Sequence, residues 1–245
     1  LGAVIDLLAP LPEDLLAQVD PRFRDPQGRW IGISGRARTL VYNTNELQPA
    51  DLPADLTGLT DPRWKGRVGW APSNSSFQTM VTAMRVMWGQ ERTRAWLEGM
   101  AANQPVAFDG NAPIVAAVGA GEISIGLVNH YYLFRFLQEE GESFPARNYF
   151  FADGGPESLV MPAGIGMLKT SDSREEAEKL IDFLLSPVAQ QYFAAQTYEY
   201  PLVEGIVTPR ELPPLPDLNA ARVDLADLYD LQGTLALLRE TGVLP

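Results

Sequence analysis

The sequence predicts an α/β protein with mainly parallel sheets, because stretches with strand-like spacing alternate along the chain with stretches of helical spacing. Glu122–Val128 is the clearest strand, since aliphatic residues recur at every second position. Leu133–Leu137 follows with a helical pattern that stops before Gly141. Ligands of open α/β sheets bind at the carboxyl ends of strands, so this junction is a candidate binding site.

The other elements follow from spacing and from residues that start or stop helices. Trp30–Val41 is rich in strand formers, although Gly32 and Gly35 interrupt it, and Arg67–Ala71 is a shorter strand. Helices are predicted at 1–8, 14–19, 73–84, 93–100, 111–121, 173–184, 186–195 and 225–238.

The composition argues against several classes of function. The net charge of −12 disfavours nucleic-acid binding, which relies on basic patches. With no cysteine and one histidine, we expect neither a disulfide framework nor a metal site built on thiolates or imidazoles. The sequence has no P-loop, no zinc-protease helix and no nucleophile elbow, so we expect no enzyme.

Two adjacent tyrosines, Tyr131 and Tyr132, lie where the predicted strand gives way to the helix. A phenol ordinarily ionises near pH ~10, but a hard trivalent cation can hold it as phenolate at neutral pH, helped by the positive end of a helix. The pair is therefore a candidate site for Fe(III), which favours oxygen ligands. On the dipeptide alone, packing of two amphipathic rings is the simpler explanation. His130, beside them, is interpreted as a residue that turns away at the edge of a cleft.

Three predicted junctions place small polar residues directly before a helix, at Ser73–Ser76, Asn111 and Asn129. Helix N-termini present free backbone N–H groups and a positive dipole end, so they bind anions. If all three open on one cleft, they form a socket for a small oxyanion. For each junction taken alone, ordinary helix capping is the better explanation, whereas the set of three beside the tyrosine pair favours the anion role.

Short motifs recur along nearly the whole chain in a characteristic order. They are Leu11-Pro12 with Asp14, Ser34–Arg38, Val41–Thr44, Pro62–Arg67, Gly69–Pro72, Leu127–Tyr132 and Glu199–Leu202. In order and spacing they resemble those of the ferric-iron-binding proteins of bacterial ABC importers, which are extracellular solute-binding proteins.

The resemblance implies a fold and a division of the chain. The fold is the two-lobed periplasmic-binding fold of type II, with transferrin-like lobes joined by a hinge of two crossing strands. Residues 1–33 and 163–212 then form the N-lobe, and residues 34–162 and 213–245 form the C-lobe. Family members begin with a strand-helix-strand segment, roughly a quarter of their length, that has no counterpart here, so the N-lobe is expected to be incomplete.

The resemblance also implies a ligand set. Tyr131 and Tyr132 ligate Fe(III) from the C-lobe, with carbonate or phosphate as a synergistic anion. The anion is held by Asn74, Ser75, Ser76, Asn111 and Asn129, with Arg36 from the hinge. Arg38 is the second hinge arginine near the cleft, where both can form charge-assisted hydrogen bonds. Some family members place a third tyrosine where this chain has Phe77, which cannot bind a metal.

The implied function is transport. The protein binds ferric ion in an interlobe cleft in the periplasm and delivers it to an ABC permease, with the absent N-terminal segment as a further partner if it is a separate chain. Two alternatives stay open at this point: a small-oxyanion-binding protein of an ABC importer, and a structural fragment that binds no ligand.

Overall fold

A computed structural model describes residues 2–245. Its strands are β1 (Leu8–Ala9), β2 (Ile31–Asn43), β3 (Val68–Trp70), β4 (Val106–Ala107), β5 (Ile125–Asn129), β6 (Ala146–Tyr149), β7 (Val160–Ile165) and β8 (Met167–Leu168). Its α-helices are α1 (Glu13–Leu16), α2 (Ser75–Trp88), α3 (Gln90–Ala102), α4 (Asn111–Gly119), α5 (Tyr131–Glu140), α6 (Arg174–Leu185), α7 (Pro187–Gln196) and α8 (Leu231–Glu240). Short 3₁₀ helices occupy Gly2–Leu7, Pro21–Phe23, Pro49–Asp51, Leu56–Thr60, Pro62–Trp64, Pro156–Ser158, Leu215–Leu218 and Leu225–Tyr229.

The predicted helix at 225–238 is wrong as a single element. The chain instead forms the 3₁₀ helix Leu225–Tyr229 and then α8. Asp230 separates them with a non-helical backbone, and its side chain accepts a hydrogen bond from the N–H of Gly233. An aspartate in this position caps a new helix rather than continuing the previous one.

The larger sheet is mixed, which corrects the prediction of mainly parallel sheets. Its strand order is β4-β3-β5-β2-β6, with β7 also paired to β2. β3 runs parallel to β4 and β5, whereas β2 runs antiparallel to β5 and β6. Parallel neighbours need helical crossovers, which α2, α3 and α4 supply, but residues 44–67 between β2 and β3 form no α-helix. β1 and β8 form a separate antiparallel pair.

The chain divides into two compact units. The first runs to Arg36 and includes Val160–Asp217 and Asp224–Tyr229. The second comprises Ala37–Leu159, Leu218–Val223 and Asp230–Pro245. The two boundaries near residues 36 and 160 each lie three residues from those expected for the lobes. In addition, residues 213–217 and 224–229, expected in the C-lobe, belong to the first unit. The 3₁₀ helix Leu225–Tyr229 contacts that of Gly2–Leu7, which accounts for part of this grouping.

The sheet of the second unit is covered on both faces, so the unit has three layers. Leu40 and Leu127 point into a core that α2 and α3 complete, while Val41 and Val128 point into a second core formed with α4 and α5. Successive residues of a strand face opposite sides of the sheet, so β2 and β5 each supply both cores. Within residues 2–245, none of the helices combines the length and apolar character needed to cross a bilayer.

Glu157 is a buried carboxyl in this unit. It is 1% exposed, its Oε1 accepts the N–H of Leu56 at 3.2 Å, and its 3₁₀ helix packs against α2. Burial, with a smaller contribution from the nearby Asp153 carboxylate, raises the pKa of Glu157 to about 7. The folded state therefore holds this proton more tightly than the unfolded chain does. The resulting stabilisation is full below about pH 4.5 and is lost as the pH rises through about 7.

Glu157→Gln should remove this loss because the amide stays neutral. Between about pH 5 and pH 8, the free energy of unfolding should fall by ~1–3 kcal/mol more in the unmodified chain than in the variant. Urea unfolding in matched buffers measures the difference, with the exposed Glu139→Gln as the control that should follow the unmodified chain. Parallel pH profiles for the unmodified chain and Glu157→Gln would contradict this account.

Candidate functional site

Arg38 is the centre of a buried polar cluster in the second unit. It lies on β2, and only 2% of the residue is exposed. Its Nη1 donates hydrogen bonds to Oγ of Ser76 at 3.2 Å, to Oδ1 of Asn111 at 3.3 Å and to Oδ1 of Asn129 at 3.1 Å. Because Nη1 carries two hydrogens, at least one of them is shared between two oxygens.

The ends of three regular elements bring these acceptors together. Ser76 lies in the first turn of α2, Asn111 is the first residue of α4, and Asn129 is the last residue of β5. α4 packs directly against β5, since a Cβ added to Gly126 would lie 2.1 Å from Cγ2 of Ile114. Glycine is therefore needed in the middle of β5 for α4 to bring Asn111 close to Asn129.

The amide and hydroxyl groups also bind one another. Oδ1 of Asn74 accepts the N–H of Ser76 at 3.0 Å and its hydroxyl at 2.6 Å. Oδ1 of Asn111 accepts the N–H of Asn129 at 2.8 Å, and its Nδ2 lies 3.4 Å from Oδ1 of Asn74. Two of the three oxygens around Arg38, those of Ser76 and Asn111, are therefore held in place by contacts of their own, which makes this part of the cluster preorganised.

The helix-capping explanation holds for one junction of the three. Asn74 caps α2 through its side chain, as predicted. Asn111 and Asn129 do not cap, because Gly110 precedes α4, His130 precedes α5, and neither helix has a side-chain cap. The oxygen of each asparagine is directed to Arg38 instead.

Two residues of the expected anion site lie outside this cluster. Ser75 is exposed at the first position of α2, and its carbonyl accepts the hydroxyl of Thr79. Arg36 belongs to the first unit, where its Nε donates to Oε2 of Glu199 at 3.1 Å. The arginine that binds the asparagine and serine oxygens is Arg38, two residues further along the strand.

The remaining nitrogens of Arg38 define the chemistry of the cluster. Nε and Nη2 are buried and have no hydrogen-bond partner among the described residues. Burial lowers the pKa of the Arg38 guanidinium to about 9, while Tyr131 and Tyr132 act to raise it. The group is thus still cationic at neutral pH. A buried cation without a counter-charge is costly, by several kcal/mol, so the site favours an anion.

From the sequence, Arg36 is counted in the anion-binding set and Arg38 is left as a second hinge arginine near the cleft. The available signal was a second arginine inside a strand predicted to be buried, where a charge is rarely placed without a partner. Arg36 and Arg38 stand two positions apart on one strand and share a face, so alternation along the strand cannot show which of them is buried.

Tyr131 and Tyr132 begin α5 immediately after β5. Both are half-buried, and their rings stack with centroids 4.3 Å apart and an interplanar angle of 29°. Both tyrosines act to raise the pKa of the Arg38 guanidinium, which places the pair near the polar cluster. Tyr132 also packs against the core beneath α5, which leaves part of the packing explanation valid.

Other donors for a metal are scarce in this part of the chain. Within residues 2–245 no three His, Cys, Asp or Glu side chains come together in an arrangement that could hold a metal ion. Phe77 is 1% exposed and meets the Trp70 ring edge-on at 5.5 Å, so it belongs to the core. Phe77 therefore supplies no donor atom to this site.

His130 is fully buried, which corrects its expected place at the edge of a cleft. Its ring is turned back toward β2, where Nδ1 lies 3.1 Å from the backbone nitrogen of Ala37. The imidazole therefore lies in the interior, against β2 and the ring of Tyr131.

A guanidinium surrounded by amides, beside two phenols, makes up the candidate site. The profile of the family described as bacterial extracellular solute-binding proteins matches residues 5–225. The chain belongs to that family, as its motifs predicted. Members of the family are transport proteins, which agrees with the expectation that the chain is no enzyme.

Similar proteins include iron-binding members of the family. The chain is 36% identical over 240 residues to the Fe(3+)-binding periplasmic protein of Serratia marcescens, covering 97% of this chain and 70% of that protein. It is 31% identical over 242 residues to the major ferric iron-binding protein of Neisseria meningitidis serogroup B, covering 97% and 72%. Its structure matches that of iron-bound HitA from Pseudomonas aeruginosa with a TM-score of 0.91 and 34% identity, over 98% of this chain and 78% of HitA. The predicted periplasmic-binding fold is confirmed.

Proposed function

We propose that this chain binds Fe(III) together with a synergistic oxyanion, carbonate or phosphate, and serves iron uptake. One observation carries the proposal: a buried Arg38 with two unpaired nitrogens lies beside two adjacent phenols. The names of the similar proteins from Serratia marcescens and Neisseria meningitidis support ferric ion as the solute.

Charge balance explains why the metal and the anion belong together. A ferric ion bound by the phenolates of Tyr131 and Tyr132 keeps one positive charge, and Arg38 adds a second. A doubly charged oxyanion would neutralise the site, and its oxygens are suited to the planar guanidinium. Asn74, Ser76, Asn111 and Asn129 would then position the arginine, the anion or both. Ser75 and Arg36 stay candidates for weaker outer contacts.

The family supports a role in transport. Extracellular solute-binding proteins act outside the cytoplasmic membrane, so we place the chain in the periplasm and propose an ABC permease as its partner. The protein binds and releases its cargo without chemical change to it.

We also propose that a further protein segment packs against the first unit. The chain spans about 70% of the length of the similar Serratia protein. In the first unit, α6 and α7 expose more than half of Leu180, Phe183, Val188 and Tyr192. A helix with apolar residues on several faces is usually covered on more than one side. We propose that the part of family members that has no counterpart in this chain covers this surface.

A metal-free oxyanion-binding protein is the second candidate. The unpaired nitrogens of Arg38 favour this candidate, because they can donate hydrogen bonds to an anion whether or not a metal is bound. Tight binding of phosphate with no ferric complex would select this alternative. If neither ligand binds, the structural-fragment alternative is left.

The tyrosines test the metal assignment. Adding ferric salt with bicarbonate should produce a visible phenolate-to-iron charge-transfer band. Tyr131→Phe and Tyr132→Phe should each abolish or strongly shift this band because each removes one ligand. Tyr149→Phe is the matched control, since Tyr149 is a half-buried tyrosine of the same unit, and it should leave the band unchanged. An unaltered band in both ligand variants would refute the assignment.

Arg38 tests the anion. The metal-free chain should bind inorganic phosphate or carbonate in calorimetric titration, and Arg38→Gln should weaken binding by roughly 30-fold or more, as expected for loss of a charged contact. Arg36→Gln provides the comparison, because Arg36 pairs with Glu199, and it should have a much smaller effect. Circular dichroism checks that both variants are folded. Equal losses in the two variants, or none in Arg38→Gln, would count against Arg38 as the anion's partner.

The exposed apolar surface tests the proposed segment. Alone, the 245-residue chain should be prone to aggregate and bind Fe(III) more weakly, since one lost charged contact costs ~2–5 kcal/mol. Co-expression with the part of the Serratia protein that has no counterpart in this chain should restore solubility and raise affinity, measured against a competing chelator. Phe183→Glu should prevent this restoration without unfolding the isolated chain, because the Phe183 side chain is exposed. Equal affinity with and without the segment would show that the second unit is sufficient.

A further inference from the structure

His130 forms an unusual link between the strand β2 and the start of α5. Its backbone N–H donates to the carbonyl of Ala37 at 3.0 Å, and its Nδ1 lies 3.1 Å from the backbone nitrogen of Ala37. Its own carbonyl accepts Nδ2 of Asn148, on β6, at 2.8 Å. The residue is fully buried, and its ring meets that of Tyr131 edge-on at 5.8 Å.

The imidazole replaces a backbone hydrogen bond that is missing where β2 pairs with β5. β2 and β5 are antiparallel, with Arg38 opposite Asn129, so Ala37 lies opposite His130. In such a pair the two residues would normally exchange both backbone hydrogen bonds. His130, however, already has helical backbone angles, φ −54° and ψ −38°, and its carbonyl is turned away to Asn148. The imidazole Nδ1 takes the place of that carbonyl.

The direction of this hydrogen bond follows from the other groups nearby. Nδ1 lies within 3.3 Å of the Ala37 carbonyl as well as of its N–H. The carbonyl already accepts the backbone N–H of His130, whereas the buried Ala37 N–H needs an acceptor. Nδ1 therefore accepts, and both backbone groups of Ala37 are satisfied by one residue.

We infer that His130 is a positioning residue for the tyrosine pair. Its ring supplies the last hydrogen bond between β2 and β5, so the chain can turn from β5 into α5 within a single residue. Tyr131 and Tyr132 thereby stand at the strand end, beside the Arg38 cluster. Without the acceptor, the Ala37 N–H would be buried unpaired or the turn into α5 would shift, and either change moves the phenols. The role in metal binding rests on the proposed function, whereas the link itself does not.

Two substitutions separate the hydrogen bond from simple filling of space. In His130→Asn, Oδ1 stands as many bonds from Cβ as Nδ1 does, so the acceptor is kept while volume is lost. In His130→Leu, much of the volume is kept while the acceptor is lost. Positioning through the hydrogen bond predicts that Asn preserves function and Leu does not. Packing alone predicts the reverse order.

Two measurements on the full chain test the inference. In the metal-free chain, amide hydrogen exchange of Ala37 should be fast in His130→Leu and slow, as in the unmodified chain, in His130→Asn. With Fe(III) and bicarbonate, His130→Leu should shift the charge-transfer band and weaken affinity about 10–100-fold, a usual effect of losing an outer-shell contact. His130→Asn should stay within a few-fold of the unmodified chain.

Each outcome decides a separate question. Unchanged affinity and band in His130→Leu, or equal loss in His130→Asn, would overturn the positioning role. If His130→Leu does not fold, the Asn variant decides alone, because a folded Asn variant with fast Ala37 exchange and weak binding also overturns it. Absence of any ferric band in the unmodified chain would refute the proposed function. In that case Ala37 exchange alone decides whether His130 positions the start of α5.

Discussion

The burial of the Arg38 charge is the constraint on which the rest of the site depends. A guanidinium at 2% exposure is tolerable only if its hydrogens find acceptors and its charge finds a counter-charge. Three side-chain oxygens satisfy Nη1, while Nε and Nη2 keep no partner among the described residues. Part of the stabilisation is thus left for a ligand to provide. In our proposal, a bound oxyanion supplies the counter-charge and the missing hydrogen bonds.

The fold supplies the acceptors through the ends of its elements. α2, α4 and β5 each deliver one oxygen, and the same end of β5 leads directly into the tyrosine pair. The turn between them is sharp because His130 is bound to Ala37 on β2, the strand that also carries Arg38. Arginine, asparagines and phenols are therefore tied to one pair of strands. Small movements of β2 against β5 would alter all of them together.

Much of the fold could be predicted from local pattern. The alternation in Glu122–Val128 and the apolar spacing after Ser76 placed β5 and α2 to within a few residues. The order of the sheet could not be predicted in this way, since strand pairing depends on contacts between distant segments. β2 lies antiparallel in the middle of the sheet although its own sequence says nothing about its neighbours. The helix at 225–238 failed because Asp230 caps a new helix in its tertiary surroundings.

The sequence by itself determined which chemistry is available: no cysteine, one histidine, two adjacent tyrosines and amide-rich helix starts, which leave oxygen donors as the means of binding a metal. It also determined the family, because the motifs are local and ordered. Only the tertiary structure decided which of two neighbouring arginines is buried, and that Asn111 and Asn129 bind Arg38 instead of capping helices. The reason is physical: burial and hydrogen-bond partners are set by which strands and helices meet. Residues 38, 111 and 129 are far apart along the chain and become neighbours only when β2, α4 and β5 pack together.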